Sequence, residues 1–528
     1  MPFRPAGVGA AREDGGVRTR STVAGVLAAA AALAASEALA AVLDLRESPV
    51  LSVGQSVIAL TPGPVAEAII GVVGTNDKPL AVASVVVAIL LLGALVGRWW
   101  LTRRLAACTV VAVLVALAAA SVLTRPYASP QGVFAAVAGG VVLMGVLQLL
   151  LPPSHDHGAT KDGQHAGREA GHDPSRRVFI RTAALVAAAT VVVGAAGQAL
   201  ASRHRRREVV ERARAALRIP ARPVVVPAGA DLQVPDQAPW LTPNRDFYRI
   251  DTSLQAPLID PAEWTLRIHG LVDRELTLTY QDLLDRGLTD AWITICCVSN
   301  EVGGDLIGNT VWGGVPIKGI LEEVGVQAGA DALLSTSEDG WTCGTPLDAL
   351  TDGRNALLAL TMNGEPLPVP HGFPVRQVVP GLYGYVSATK WVTDWEVTRF
   401  ADFEAYWTQR GWGERGPIKT ESRIDVPRDG SSVGAGPVTV AGVAWAQHVG
   451  VQGVEFRVDG GPWKPATLGV AANADTWVQW TGEWDAEPGD HTIEARATDA
   501  TGEPQTSKIA EVLPDGATGY PRSSVRVS

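Results

Sequence analysis

Two patterns divide this chain. Over the first two hundred residues apolar positions fall in long continuous runs; after that they alternate with polar ones in short stretches. A run of about twenty apolar residues is long enough to cross a bilayer as a helix. Such runs predict helices over 23–43, 80–97, 105–124, 132–151 and 182–201. A further apolar stretch, 51–73, carries Pro62, Gly63 and Pro64 and reads as an extracytoplasmic or re-entrant segment. Arginines and lysines set the orientation, because cytoplasmic loops carry the excess of them. Arg4, Arg12, Arg18 and Arg20 precede the first run, Arg98, Arg103 and Arg104 fill the gap before the third, and Lys161, Arg168, Arg176 and Arg177 precede the fifth. With the amino terminus in the cytoplasm, all three groups lie inside and the fifth helix delivers everything after it to the outside. Glu37, near the outer end of the first run, reads as a carboxylate reaching the interface.

Beyond the last run, a charged stretch at 203–214 gives way to Pro220, Pro223 and Pro227, an extended linker, and a soluble part begins near Asp231. Alternation in Trp264-Thr-Leu-Arg-Ile-His-Gly270 predicts a strand, and Leu276-Thr-Leu-Thr-Tyr280 a strand passing into a helix at 281–286. The apolar, β-rich segment 291–298 predicts a buried strand that ends at Cys297, where Ser299-Asn300 turns into a loop. Short strands and helices continue to about Phe400, which predicts a mixed α+β domain. After Pro417 the strands at 438–445, 454–458 and 491–498, with turns at Asp459-Gly-Gly461 and Pro488-Gly-Asp490, predict an immunoglobulin-like sandwich. The expected organisation is a four-helix transmembrane region at 1–151, a cytoplasmic linker with a fifth transmembrane helix at 152–201, a second linker at 202–230, an α+β catalytic domain at 231–415 and the sandwich at 416–528. In the sandwich, Trp463 and Trp480 read as core or interdomain packing.

Composition removes several functions. A net charge of -10 excludes general nucleic-acid binding. Four cysteines with no Cys-x-x-Cys pair leave little for a disulfide framework, a zinc ribbon or an iron–sulfur cluster. No Gly-rich loop follows a strand, so NAD and P-loop readings lack a motif. None of the five apolar runs holds a histidine, so no haem grip is expected. The linker before the fifth run has His155, His157, His165 and His172 at irregular spacing and reads as a solvated loop. Ser175-Arg-Arg-Val-Phe-Ile180, followed by a weakly hydrophobic Ala/Gly/Val stretch, reads as an internal twin-arginine export signal. That makes the twin-arginine export machinery and the lipid bilayer expected partners. A thiolate at Cys297 could bind a soft metal, though on spacing alone a buried inert cysteine is the plainer reading.

The surrounding phrases change that balance. Cys297-Val-Ser-Asn300, Trp312-Gly-Gly-Val-Pro-Ile317, Met362-Asn-Gly-Glu-Pro-Leu-Pro368, His371-Gly-Phe-Pro-Val-Arg376, Val379-Pro-Gly381 and Ala388-Thr-Lys-Trp391 occur in the order seen in the sulfite oxidase family of molybdopterin enzymes. From Leu241 to the carboxyl end, the chain resembles that family. The resemblance implies a molybdenum–molybdopterin cofactor with Cys297 as the thiolate ligand. His371, Arg376 and Lys390 would hold the pterin and its phosphate, with Asn300 and Asn309 as further cofactor candidates. Asn363 reads as a turn residue. Phe247-Tyr-Arg249 resembles the family's Phe-Val-Arg, whose arginine faces substrate, but Ile250-Asp251 stands where the family has Asn-His. After the cysteine loop comes Glu301-Val-Gly-Gly-Asp305 where sulfite-oxidising members carry basic residues, so a more acidic mouth is expected and a sulfite dianion disfavoured.

The expected activity is oxygen-atom transfer to or from a small-molecule substrate, either a sulfite-like anion or an S- or N-oxide, by a membrane-anchored enzyme facing outward. A separate electron carrier, a soluble cytochrome or a membrane quinone-linked enzyme, would reset the metal. The sandwich resembles the family's dimerisation domain, which leaves a homodimer open. The alternative is a non-catalytic, membrane-anchored surface receptor. A transporter is disfavoured, because beyond Glu37 the apolar runs hold few polar groups.

Overall fold

Ala, Leu and Val dominate the first segments, and such chains satisfy their own backbone groups by forming helices. In a computed structural model of the chain these are α1 (Val8–Val42), α2 (Pro49–Leu60), α3 (Asp77–Trp100), α4 (Arg104–Leu123), α5 (Gly132–Leu150) and α6 (Pro174–Ala199). The structure describes residues 8–528 except 44, 46, 63–64, 66–68, 70–76, 126–128, 153–173, 200–201, 218 and 220–222. The chain divides into two units, Met1–Glu208 with Ser253–Gln255, and Val209–Thr252 with Ala256–Ser528.

In the first unit α1 is central and lies against α3, α5 and α6. Its closest approach is to α3, where Gly25 meets the backbone at Gly93 and Gly97 with no room for a β-carbon. Small residues spaced four apart are what let two apolar helices come this close. Among the described residues, five helices are long and apolar enough to cross a membrane: Arg18–Val42, Lys78–Trp100, Arg104–Leu123, Gly132–Leu150 and Arg177–Gly197. Each overlaps a run read from the sequence. Leu91, Leu105, Phe134, Leu185 and Val191 point outward, each more than 60% exposed. The apolar stretch 51–73 begins as α2, which is only 12 residues long. The rest of it, and the histidine-bearing linker, lie largely outside the described residues.

The charged stretch forms α7 (Ser202–Ala216), and in the second unit Arg214 donates to the carbonyls of Pro366 and Leu367, both at 2.8 Å. Next come β1 (Thr265–Gly270), β2 (Leu276–Thr279), α8 (Tyr280–Asp285), β3 (Thr289–Cys296), β4 (Ile307–Pro316), α9 (Ile317–Val324), β5 (Ala332–Ser337), β6 (Thr342–Pro346), α10 (Leu347–Thr351), β7 (Leu357–Met362), β8 (Glu365–Pro366), β9 (Arg376–Val378), α11 (Gly384–Ser387) and β10 (Val392–Thr398). One sheet runs β2-β1-β10-β5-β6, with β1 and β10 parallel. The other runs β3-β4-β7-β8, with β9 on β7. Trp264, Trp391 and Trp395 are buried in the core around the first sheet, Trp312 and Phe373 in that around the second.

The sandwich comprises β11 (Glu421–Val426), β12 (Ser432–Val433), β13 (Gly436–Trp445), β14 (Val451–Val458), β15 (Lys464–Pro465), β16 (Thr467–Leu468), β17 (Val478–Ala486), β18 (Gly489–Asp499) and β19 (Arg522–Val527). Its sheets are ordered β11-β13-β17-β16 and β12-β19-β18-β14-β15. Trp480 is buried between them with Phe456 and Ile493. Trp463 is instead half-buried, with Arg457 and Arg496 each 4.4 Å from its ring centre.

The edge strand β3 is sealed by the sandwich. The Thr294 amide donates to the Asp475 carbonyl at 2.9 Å, and the Trp477 amide donates to the Thr294 hydroxyl at 2.8 Å. The Gln447 side-chain amide donates to the Thr294 carbonyl, and Asn473 Nδ2 donates to the Trp292 carbonyl at 3.0 Å. An unpaired strand edge would otherwise present its amides and carbonyls to any other chain.

Glu421, on β11, is buried near Cys296 and Tyr383, and its Oε1 has no hydrogen-bond partner. Burial raises its carboxyl from the ordinary 4.5 to about 8. Between those values the folded protein keeps a proton that the unfolded chain has released. The stabilising contribution is therefore full below pH 4.5 and is lost as the pH rises through 8. At ~1.4 kcal/mol per pH unit the loss amounts to several kcal/mol. We expect Glu421→Gln to match the wild type in urea unfolding at pH 4.5 and to exceed it by about 2 kcal/mol or more at pH 8.5; equal pH slopes would contradict this.

Candidate active site

Neighbouring residues at the end of a strand face opposite ways, and this separates the two adjacent cysteines. Cys296, the last residue of β3, is fully buried and belongs to the apolar core. Cys297 lines a cleft enclosing about 790 Å3, part of it open to solvent. The loop after it is closed by its own backbone. The Cys297 amide donates to the Leu306 carbonyl at 2.9 Å, and the Asn300 amide to the Cys297 carbonyl at 3.0 Å. Asn300 Oδ1 accepts from the Leu306 amide at 2.8 Å. Burial pushes the Cys297 thiol up, while hydrogen bonds at Ser299 and the Lys390 charge pull it back.

The cationic side of the cleft comes from a tight turn. His371 ends a short 3-10 helix (Val369–His371), and Gly372 follows at φ 113°. A β-carbon on Gly372 would lie 3.0 Å from Arg376 Cβ and 3.2 Å from Lys390 Cα, so only glycine lets these three segments converge. Arg376 donates to the His371 carbonyl at 3.3 Å and stacks over Trp312 at 5.2 Å. Lys390 donates to the Pro370 carbonyl at 3.1 Å and pairs with Asp251 at 3.2 Å.

All three basic groups are buried, and burial is the first cause of each shift. It lowers Arg376 to about 10 and Lys390 to about 8. His371 falls to about 3, helped by the Lys390 and Arg376 charges, and is neutral. Its Nε2–H donates to the Asn244 carbonyl at 3.1 Å, which leaves Nδ1 a buried acceptor with no partner. Arg376 Nε and Asn300 Nδ2 are likewise buried without partners. Of these groups, Arg376 and Lys390 line the cleft, whereas His371 and Asn300 stand behind its lining; the unmet Arg376 donor and the two desolvated cations suit a polyanionic ligand, which would satisfy both at once. Among the described residues no cluster of three or more His, Cys, Asp or Glu side chains could hold a metal unaided. A metal here needs ligands from outside the protein.

Other residues singled out in the sequence sit elsewhere. Arg249 does not line the cleft: its side chain is 43% exposed and its Nε pairs with Asp251 at 2.9 Å. Tyr248 lines the wall instead. Asn309 is fully buried and its side chain is used within the fold, accepting from Thr294 Oγ1 at 3.0 Å and donating to the Trp240 carbonyl at 3.0 Å. Asn363 has φ 54° and occupies the turn before Gly364. The acidic mouth expected from Glu301–Asp305 is not formed by those residues. Glu301 and Asp305 are exposed and are not among the residues that line the cleft, and Gly303 faces Pro521 of the sandwich. The carboxylates that do line it are Asp251 and Asp339. The spacing Arg249-x-Asp251 was a usable signal, since alternate residues of an extended segment share a face.

A thiol-bearing loop beside a buried cationic cradle defines a class of enzymes that bind an anionic redox cofactor. Residues 253–407 match the oxidoreductase molybdopterin binding domain and residues 421–495 a bacterial Ig domain. An oxidoreductase of Bacillus subtilis (strain 168) termed uncharacterized, YuiH, is 36% identical over 157 residues, 30% of this chain and 76% of that protein. Sulfite oxidase of Gallus gallus is 26% identical over 324 residues, 52% of this chain and 70% of that one. The crystal structure of the sulfane dehydrogenase SoxCD from Paracoccus pantotrophus aligns with a TM-score of 0.46 at 24% identity, covering 51% of this chain and 75% of that chain. The chain belongs to the sulfite-oxidase-like family of molybdopterin-dependent oxidoreductases. Family membership decides for an enzyme over a non-catalytic receptor.

Proposed function

We propose that this is a membrane-anchored oxidoreductase that transfers an oxygen atom to or from a small substrate outside the cytoplasm. The observation that carries the reading is that Cys297 shares one cleft with the buried Arg376 and Lys390. Cys297 would be the protein's ligand to molybdenum. Arg376, Lys390 and His371 would hold the molybdopterin, with Asn300 closing the ligand loop. Bound there, the cofactor supplies two-electron oxygen-atom transfer. The chain's own contribution is to desolvate that site, to place Cys297 through its fixed loop and to neutralise the anionic group with Arg376 and Lys390. Arg249, half-exposed and paired with the cleft residue Asp251, would act on substrate approach rather than at the reacting atom. A separate one-electron carrier would return the site to its starting state.

The five apolar helices, with leucine, valine and phenylalanine side chains turned outward, support the anchor, because water would not tolerate so much contiguous apolar surface. The basic clusters and the Ser175–Ile180 motif support an outward-facing catalytic part delivered by the export route for folded proteins. In this reading the organisation is anchor to 201, linker to 230, catalytic domain to 415 and sandwich to the end.

Expressed in a host that makes the cofactor, the protein is expected in the membrane fraction with about one molybdenum and one pterin per chain, as measured by metal analysis and pterin fluorescence. Protein recovered from membranes without molybdenum would remove the catalytic reading, and full recovery in the soluble fraction would remove the anchor.

A further inference from the structure

Each of the two cleft-lining cations is backed by a polar neighbour that the cofactor assignment leaves unused. On β9, Arg376 lines the cleft, whereas Gln377 does not and is fully buried. Successive residues of a strand face opposite ways. Just before β10 the same division recurs: Lys390 lines the cleft, and Thr389 is fully buried outside its lining. The two backing residues are joined directly, because the Gln377 amide donates to the Thr389 carbonyl at 2.9 Å.

They are joined a second time through side chains of β5 and β6. Gln377 Nε2 donates to Thr345 Oγ1 at 2.9 Å, and the Thr345 hydroxyl gives its own proton to the Val386 carbonyl at 2.7 Å. In the contact between Cys343 Sγ and Thr345 Oγ1, at 3.7 Å, the thiol is therefore the donor. Burial pushes the Cys343 thiol up to about 11, only partly offset by hydrogen bonds with Thr389, Thr345 and Ser335, so it keeps the proton it donates. Thr389 Oγ1 meets Ser335 Oγ at 2.5 Å, and Ser335 Oγ also lies 3.4 Å from the Cys343 carbonyl. Gln377, Thr345, Cys343 and Thr389 thus form a closed circuit, completed by the backbone bond between the first and the last.

Ser335, Cys343, Thr345, Gln377 and Thr389 are all at 0% exposure. Polar groups so deep cost more than aliphatic side chains of the same shape unless they bond to one another. What they supply in return is direction: a hydrogen-bonded circuit fixes its members at set distances and angles, where apolar packing tolerates slippage.

We infer that this circuit is a positioning device, which sets the separation of Arg376 and Lys390 and so the fit of the cradle to its anionic cofactor. The inference rests on the cradle being the molybdopterin site. None of the five residues lines the cleft; they act through the two cations that do. A binding geometry held by a bonded second layer loosens when that layer is cut, even where the fold survives.

The test uses the full-length holoenzyme in detergent and follows release of pterin by fluorescence, at a temperature well below unfolding. Thr345→Val keeps the shape of the side chain and removes its hydroxyl. It is expected to release pterin about tenfold faster, in line with the loss seen when groups behind a metal ligand are removed. Thr345→Ser keeps the hydroxyl and is expected to stay within about twofold of the wild type. Ile268→Val, which thins the core at β1 and removes none of these hydrogen bonds, is expected to lower the unfolding temperature while leaving the release rate as it was. Should Thr345→Val not fold, Thr389→Val, which cuts only the side-chain links to Ser335 and Cys343, is read in the same way. An unchanged rate in the valine variant, no rescue by Thr345→Ser, or an equal acceleration in Ile268→Val overturns the inference. A wild-type protein that carries no pterin overturns the proposed function instead.

Discussion

Cys297→Ser is expected to lose turnover by more than about a hundredfold while unfolding within about 1 kcal/mol of the wild type. The first figure is a floor, because residues that merely support a metal ligand are already worth 10–100-fold. The second follows from position: Cys297 is half-buried on a loop whose closing hydrogen bonds run through backbone groups and Asn300, and the hydrogen bonds from Ser299 that reach the sulfur can be accepted by a serine hydroxyl as well. Cys296→Ser should behave the opposite way. Its sulfur lies in the apolar core, so a hydroxyl there costs stability and leaves turnover per loaded enzyme in place. Steady-state kinetics normalised to molybdenum, beside thermal unfolding of both variants, separates them. Full turnover in Cys297→Ser would remove the ligand assignment altogether.

The second large effect is on cofactor retention. Removing one member of a buried, hydrogen-bonded charge pair costs about 2–5 kcal/mol, or roughly thirtyfold to several thousandfold in affinity. Arg376 is 5% exposed, its Nε is unpartnered, and burial lowers its pKa to about 10. Arg376→Met keeps the volume and removes the charge. The cofactor-free variant is expected to be no less stable than cofactor-free wild type, because an uncompensated buried cation is gone. Its pterin content after purification is expected to fall at least about tenfold. A variant that is destabilised yet retains its pterin would show that Arg376 serves the fold and not the cofactor.

Much of the architecture was legible because it rests on period. The strand expected at 264–270 runs Thr265–Gly270, the helix expected at 281–286 runs Tyr280–Asp285, and the strand expected at 491–498 runs Gly489–Asp499. The apolar runs were legible by length alone. The interior of the site was less so, because it depends on contacts between residues far apart in sequence. Asp251 looked like a departure from a motif and is the counter-ion of both Arg249 and Lys390. Asn309 looked like a cofactor residue and is absorbed by Trp240, Thr242 and Thr294. Glu301 and Asp305 follow the cysteine loop closely in sequence, yet neither lines the cleft. The aromatic residues lining the cleft gave no period to detect, since Trp407 and Trp412 stand in irregular chain and Trp341 and Tyr385 come from separate segments.

Thr294 gives its amide, hydroxyl and carbonyl to the sandwich three positions before Cys297. A module joined to its neighbour at the root of the reactive loop is not a passenger that can be clipped away or exchanged for another. A protein ending near residue 416 would be an unsealed fragment rather than a smaller catalyst, with a bare strand margin beside its reactive sulfur. Descendants of this chain would therefore have to inherit both modules together.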